Sequence, residues 1–199
     1  YFREKKEYVM IAAVSEQFDF SKDENLLVTA RWKHCLDSQS WLGISGIHYG
    51  LGELSQAYRE CAYAINERIL TGEHLLFWKN TMDFSNLLKK EKEDLFFYAI
   101  SKGKLSDAEK VVDSLFEICT DEKENIYSLY NGIIKLFSVM RRFYYQKIEG
   151  QNTPGNYFLF DFKVDLHQFH NQEELKKYIK MILREVAGVP QETENTFLI

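Results

Sequence analysis

Proline and cysteine are scarce in this chain, which has two prolines and three cysteines among its 199 residues. Because proline interrupts helices and central strands, its scarcity argues against proline-rich linkers and favours regular secondary structure. The cysteines lie too far apart for a zinc motif, and their odd number does not suit a disulfide framework. They are Cys35, Cys61 and Cys119. We expect reduced core thiols, which are typical of cytoplasmic proteins.

Long apolar runs and clusters of positive charge are also missing. No stretch reaches the roughly 18 uncharged apolar residues that a membrane helix needs, and residues 1–7 do not form a signal peptide. We therefore expect no membrane contact by this part of the protein. The net charge of −5, with both signs interspersed, argues against a surface that binds DNA phosphates.

Apolar residues are abundant, since 45% of the chain is hydrophobic and 15% is aromatic, which is enough for a sizeable core. Short apolar runs predict three strands, at residues 8–14, 41–47 and 74–78. Residues 1–3 are a candidate hairpin partner for the first strand. Helices are predicted over about 21–38 and 54–71, and Gly72 should end the second. This order predicts an α+β sheet with helices on one face.

Beyond Lys79 the apolar periodicity is helical only. Four helices are predicted, near residues 87–102, 106–119, 121–148 and 172–187. Capping residues at Ser106 and Asn171 and glycines at Gly103 and Gly188 mark their ends. The third helix is apolar on more than one face, so we expect it to lie centrally. The chain is therefore divided into an α/β part (1–80), a helical part (81–190) and a tail (191–199).

Two stretches resemble a known family. The first reads Trp41-Leu42-Gly43-Ile44-Ser45-Gly46, and the second, Leu54 to Ala64, follows the pattern L-x-x-x-Y-x-E-C-x-x-A. Both resemble the GGDEF-related domain that lies between the sensory part and the helix-turn-helix of AraC-type regulators. The positions that carry the likeness are Gly43, Ile44, Ser45, Leu54, Tyr58, Cys61 and Ala64. The helical part, including Leu95 to Gly103, is similar to the segment before the DNA-binding domain in that family.

This resemblance implies a fold: a partial ferredoxin-like sheet of the nucleotide-cyclase kind, lacking its first strand and helix, followed by an all-helical segment. Active diguanylate cyclases place glycines and metal-binding carboxylates in a hairpin turn. The equivalent turn here is Glu4-Lys5-Lys6-Glu7, which has no glycine and places two ammonium groups where carboxylates should hold the metal. The expected domain is a degenerate one, without catalysis, metal or cofactor.

The resemblance also implies a function. We expect a cytoplasmic, non-enzymatic region of a bacterial AraC-type transcription regulator, of the response-regulator or sensor type, as in two-component signalling. It would couple an upstream receiver or sensor to a C-terminal helix-turn-helix that is absent from this sequence, and DNA would be contacted only through that domain. A homodimer is a further expectation. The alternative is an allosteric sensor that binds GTP or a cyclic dinucleotide without turnover.

Two other clusters have both a functional and a structural interpretation. His167 and His170 stand three residues apart, yet they lack a recognisable third ligand for a metal. The basic and aromatic run 141–147 resembles a nucleic-acid patch, but helical spacing assigns part of it to the core. The structural interpretation is favoured in both cases.

Overall fold

A computed structural model of the protein describes residues 9–12, 40–79, 85–121, 124–149 and 164–188. The chain divides into two compact units, and the division falls between Asn80 and Thr81. The described structure is mostly helical with a small parallel sheet, which is an α+β arrangement. The predicted hairpin partner, the turn from Glu4 to Glu7 and the predicted helix over 21–38 lie outside the described residues.

The first unit contains a β-α-β arrangement. Its elements are β1 (Leu42–Ile44), α1 (Leu54–Asn66), α2 (Arg68–Thr71) and β2 (Leu75–Phe77). The two strands are parallel, with Gly43 opposite Leu76, and parallel neighbours need a crossover such as α1 between them. A single 3-10 turn, Leu51–Glu53, leads into α1, and Gly72 ends α2 in the left-handed conformation at φ +68°. The predicted stop at Gly72 is confirmed.

Gly43 allows α1 to pack directly on β1. A Cβ atom at Gly43 would lie 2.3 Å from the carbonyl oxygen of Cys61 and 2.7 Å from a side-chain carbon of Ile65. Backbone atoms in the middle of a helix cannot yield to such a contact. Glycine is therefore required at this position, and it fixes how closely the helix approaches the strand.

The strands are shorter than the sequence pattern predicts. For example, β1 ends at Ile44, although the apolar run continues to Ile47. The N–H of Gly46 donates to the carboxylate of Glu60 instead of to a neighbouring strand. Residues 9–12, in the predicted first strand, belong to no strand, and Val9 and Ile11 are about two-thirds exposed. Apolar character alone does not form a strand, since the backbone also needs a pairing partner.

The second unit contains four long helices. They are α3 (Lys90–Ser101), α4 (Leu105–Asp121), α5 (Ile126–Glu149) and α6 (Gln172–Ala187). The side chain of Asn171 accepts a hydrogen bond from the N–H of Glu174 at 2.9 Å, as predicted, and Gly188 ends α6 at φ +76°. Ser106 is not a cap, because α4 begins one residue earlier and the N–H groups of Asp107 and Ala108 donate to the carbonyl of Lys104. Asn125 caps α5, a role that the sequence reading missed.

The core of this unit lies where α4 and α5 pack together, and α3 and α6 each contact both of them. Gly132 is the point of closest approach between α4 and α5, since a Cβ there would lie 2.6 Å from a methyl group of Leu115. Ile133 and Phe137 of α5 are buried, as its central position requires, whereas Ile134 is 44% exposed. None of the helices in the described ranges combines the length and hydropathy needed to cross a membrane.

Candidate functional site

The most polar buried cluster of the first unit lies beyond the carboxyl end of β1, where ligands bind in many parallel sheets. The chain leaves β1 through Ser45 and Gly46 and reaches α1 through the 3-10 turn. Glu60 projects from the middle of α1 toward this connection and is only 8% exposed. A buried carboxylate needs hydrogen-bond donors around it, so its partners determine what the site can do.

Glu60 accepts three hydrogen bonds. Its Oε2 atom accepts from the N–H of Gly46 at 3.0 Å and from Nε2 of His48 at 2.8 Å, and its Oε1 atom accepts from Gln56 at 3.1 Å. Burial by itself would raise the pKa of this carboxyl. The bonds from His48, Gly46 and Gln56 outweigh that effect and hold the pKa below its ordinary value.

His48 lies between two carboxylates. Its Nε2 atom contacts Glu60, and its Nδ1 atom lies 3.2 Å from Oε2 of Glu53, which also accepts the N–H of Tyr49 at 2.9 Å. The hydrogen bond to Glu60 raises the pKa of His48, and Glu53 adds to this, against the opposing effect of burial. These contacts favour the imidazolium form, in which both ring nitrogens can donate, one to each carboxylate.

We call the cluster of Gly46, His48, Glu53, Gln56 and Glu60 the loop latch. It fastens the connection after β1 to the face of α1 through charge-assisted hydrogen bonds. An imidazolium that donates to two carboxylates has no lone pair with which to accept a proton or bind a metal. The arrangement is suited to positioning the loop rather than to acid-base chemistry.

A second cluster lies at the amino ends of the two strands. The rings of Trp41 and His74 are parallel with centroids 5.9 Å apart, and Nδ1 of His74 contacts the carbonyl of Ser40 at 2.8 Å. The buried guanidinium of Arg68 lies 5.2 Å from the centroid of Trp41 and donates to the carbonyl of Ile65. These stacked groups tie α2 to the sheet, which is a structural role.

The family-like positions lie in β1, in the connection after it and in α1. Gly43 lies against the backbone of Cys61, and Ala64 is buried. Ile44 is the last residue of β1, and the hydroxyl of Ser45 donates to the carbonyl of the next residue at 2.9 Å. Leu54 begins α1 half-buried, whereas Tyr58 is 45% exposed.

The remaining candidates do not come together as a site. Glu4, Lys5, Lys6 and Glu7 lie outside the described residues. His167 and His170 are exposed, and their backbone N–H groups donate to Asp165 and Glu174. Within the described ranges, no group of three or more His, Cys, Asp or Glu side chains is arranged to hold a metal ion. Arg141 and Arg142 lie over the rings of Tyr145 and Phe97 of this same chain.

The sequence reading missed the loop latch. Its one signal was the spacing of Glu53, Gln56 and Glu60, which places three polar side chains on one face of a helix. His48 gave no signal, since it stands alone in a connection of nine residues between β1 and α1. Only the return of the chain onto α1 brings it between two carboxylates.

Comparison with known proteins gives no relative, since no protein-family model, no curated protein and no solved structure matches this chain.

Proposed function

We propose that this chain is the non-catalytic, signal-transmitting region of a cytoplasmic bacterial AraC-type transcription regulator. Its first unit would be a degenerate GGDEF-like domain with a partial ferredoxin-like sheet. The helical unit would couple an upstream receiver or sensor to a C-terminal helix-turn-helix, which alone would contact DNA. A homodimer belongs to the same proposal. The resemblance of residues 41–46 and 54–64 to AraC-type regulators carries the family part of the proposal. The attachment of α6 to α4 carries the coupling role.

The terminal helix α6 is fastened to the unit by both apolar and charged contacts. Its face of Leu175, Ile179 and Leu183 is completely buried, and α6 packs against α4 and α5. On the flank of that face, Lys180 pairs with Asp113 of α4 at 2.7 Å, and Arg184 pairs with Glu109 at 2.8 Å. A helix held this way follows its neighbour when the neighbour moves.

Such an attachment supports the transmission of a signal. Packed helices shift as bodies, and coupling between sites requires an element that both sites can bias. A displacement of α4 would be passed to α6 through two ion pairs and a buried apolar seam. Gly188, in the left-handed conformation, ends α6. A displacement of α6 would therefore pass to the segment after this helix.

The loop latch supports the non-catalytic part of the proposal. The carboxyl end of β1, where a ligand would enter a parallel sheet, is occupied by side chains of the chain itself. There, Nε2 of His48 and Oε2 of Glu60 form a hydrogen bond of 2.8 Å. A nucleotide would have to displace these charge-assisted bonds to bind at that place.

The proposal is tested by exchanging the charges of one ion pair in the full-length regulator. Asp113→Lys alone places two ammonium groups opposite each other, so induced reporter transcription should fall. Asp113→Lys with Lys180→Asp restores opposite charges and should recover much of it. The matched control is Glu173→Lys, because the ion pair that Glu173 makes among the described residues stays within α6, with Lys176 at 3.0 Å. Unchanged induction in the single variant, at equal protein level and melting temperature, would refute the coupling role.

The alternative is an allosteric sensor of GTP or a cyclic dinucleotide. Under our proposal, calorimetric titration with either ligand should give no binding heat, and GTP with magnesium or manganese should yield no cyclic dinucleotide. Binding without turnover would favour the sensor. Formation of a cyclic dinucleotide above a buffer control would contradict both the proposal and the sensor alternative.

A further inference from the structure

A groove runs between α3 and α4 on the side of the helical unit away from the ion pairs that hold α6. It has a volume of about 490 Å³ and opens to solvent. Aliphatic side chains line it, namely Leu95, Ala99 and Val111. Lysines form much of its rim, namely Lys92, Lys104 and Lys110. Its size lies in the range of clefts that bind small molecules.

The rim of the groove is more positive than the rest of the chain. The whole chain has 25 basic and 30 acidic residues, whereas the groove has three lysines and a single carboxylate, Asp107. That carboxylate is already paired with Lys110 at 3.1 Å. Lys92 donates to the neutral hydroxyl of Ser114 at 3.0 Å, and in the described part of the chain no carboxylate pairs with it.

A lysine outside the groove lining, Lys102, adds positive charge near Tyr98 and Lys104, which both line the groove. The ammonium groups of Lys102 and Lys104 lie 6.0 and 5.8 Å from the ring centroid of Tyr98. Among the described residues, no carboxylate pairs with either of them. Cation-π contacts at exposed sites are weak, so these two ammonium groups remain available to an anion.

We infer that this groove binds a small amphipathic anion, of the class of medium-chain aliphatic carboxylates. The aliphatic lining would bury the hydrocarbon body, and Lys104 would receive the carboxylate, with Lys102 adding positive charge nearby. An aliphatic body is favoured because the apolar residues that line the groove are mostly aliphatic. The inference is independent of the proposed role in transcription, since it concerns binding by this chain alone.

The test compares two ligands of equal shape, octanoate and the neutral octanamide, on the 199-residue protein. Methyl resonances of Leu95 and Val111 are followed by NMR as each ligand is added below the concentration at which octanoate forms micelles. Octanoate should shift both methyl groups in a saturable manner, and octanamide should bind roughly fivefold more weakly or worse. Equal binding of the two ligands would overturn the assignment, because the lysines would then have no role.

Variants of Lys104 provide the second arm. Its side chain is exposed, so neither Lys104→Gln nor Lys104→Glu should unfold the protein. Octanoate affinity should fall in the order wild type, Lys104→Gln, Lys104→Glu, with roughly a fivefold loss or more for the last. Lys79→Glu is the control, since it makes the same charge change on an exposed lysine of the other unit. The inference is also overturned if the control loses as much affinity as Lys104→Glu, or if Leu95 and Val111 do not respond to octanoate.

Discussion

The protonation of His48 determines how firmly the connection after β1 is held to α1. It is largely buried between Glu53 and Glu60, and its protonated form supplies a donor to each of them. Loss of that proton would remove one of the two donors while both carboxylates stay in place. The connection after β1 is therefore held most firmly when the ring is charged.

The loop latch predicts how stability depends on pH. Since the pKa of His48 is raised above 6.5, its contribution is complete below 6.5 and is lost as the pH rises through the folded pKa. Since the pKa of Glu60 is lowered below 4.5, its contribution is complete above 4.5 and is lost as the pH falls through the folded pKa. The latch therefore stabilises most between pH 4.5 and 6.5.

This expectation is measured by chemical denaturation of the wild type and of His48→Gln at about pH 5.5 and about pH 8.5. The wild type should lose more stability on the alkaline side than His48→Gln, because glutamine keeps a donor but does not titrate. His170→Gln is the control, since His170 is exposed. Parallel pH dependence in the wild type and His48→Gln would show that the latch does not titrate in this range.

At the scale of elements, the interface between α4 and α5 depends on a glycine in the middle of a helix. Gly132 is buried, and Leu115 is completely buried against it. In an exposed helix, glycine is less favourable than alanine by up to about 1 kcal/mol. Here the propensity for alanine is outweighed, because its methyl group would lie 2.6 Å from a methyl carbon of the completely buried Leu115.

Gly132→Ala is therefore expected to lower the free energy of unfolding by about 1–3 kcal/mol, the usual cost of overpacking. Leu115→Ala should cost about 2–5 kcal/mol by itself, because it opens a cavity. In the Leu115→Ala background, Gly132→Ala should become neutral or stabilising, since the obstructing methyl groups are gone. Urea denaturation of the four proteins measures this double-mutant cycle. A stabilising effect of Gly132→Ala in the wild type would contradict the close approach.

At the scale of the whole molecule, the stability of the helical unit should depend on its centre. Phe137 of α5 is buried there, and Phe137→Ala should cost about 3–5 kcal/mol. Asn131→Ala changes an exposed position of the same helix and should stay within about 0.5 kcal/mol. Chemical denaturation of both variants distinguishes a central helix from a peripheral one, for which the two losses would be similar. Lys135 is a poor control, since its ammonium contacts Asn86 and Glu93.

The proposed homodimer has a separate signature. Ile134 is an exposed apolar residue on α5 and a candidate for contact with a second copy. If the protein dimerises through this face, its melting temperature should rise with protein concentration, and Ile134→Glu should remove the dependence. A monomer mass by light scattering with concentration-independent melting would exclude the dimer.

Several elements could be predicted from the sequence, because their signals are local. The ends of α2, α3 and α6 follow from Gly72, Gly103 and Gly188, which adopt a conformation that other residues avoid. The cap at Asn171 is likewise local, since its side chain reaches only three residues along the chain. The buried face of α6 follows from its helical spacing. The family resemblance and the function built on it remain predictions.

Tertiary contacts decided the rest. The sequence could not show that β1 would stop at Ile44, because the partner that takes the N–H of Gly46 is a glutamate 14 residues away. Nor could it show that Ile134 would remain exposed on a helix with apolar residues on several faces, since exposure depends on where neighbouring helices lie. The loop latch and the groove both combine residues from separate elements. Their chemistry depends on distances between residues that are far apart in the chain, whereas local sequence dictates only the conformations that each residue and its nearest neighbours prefer.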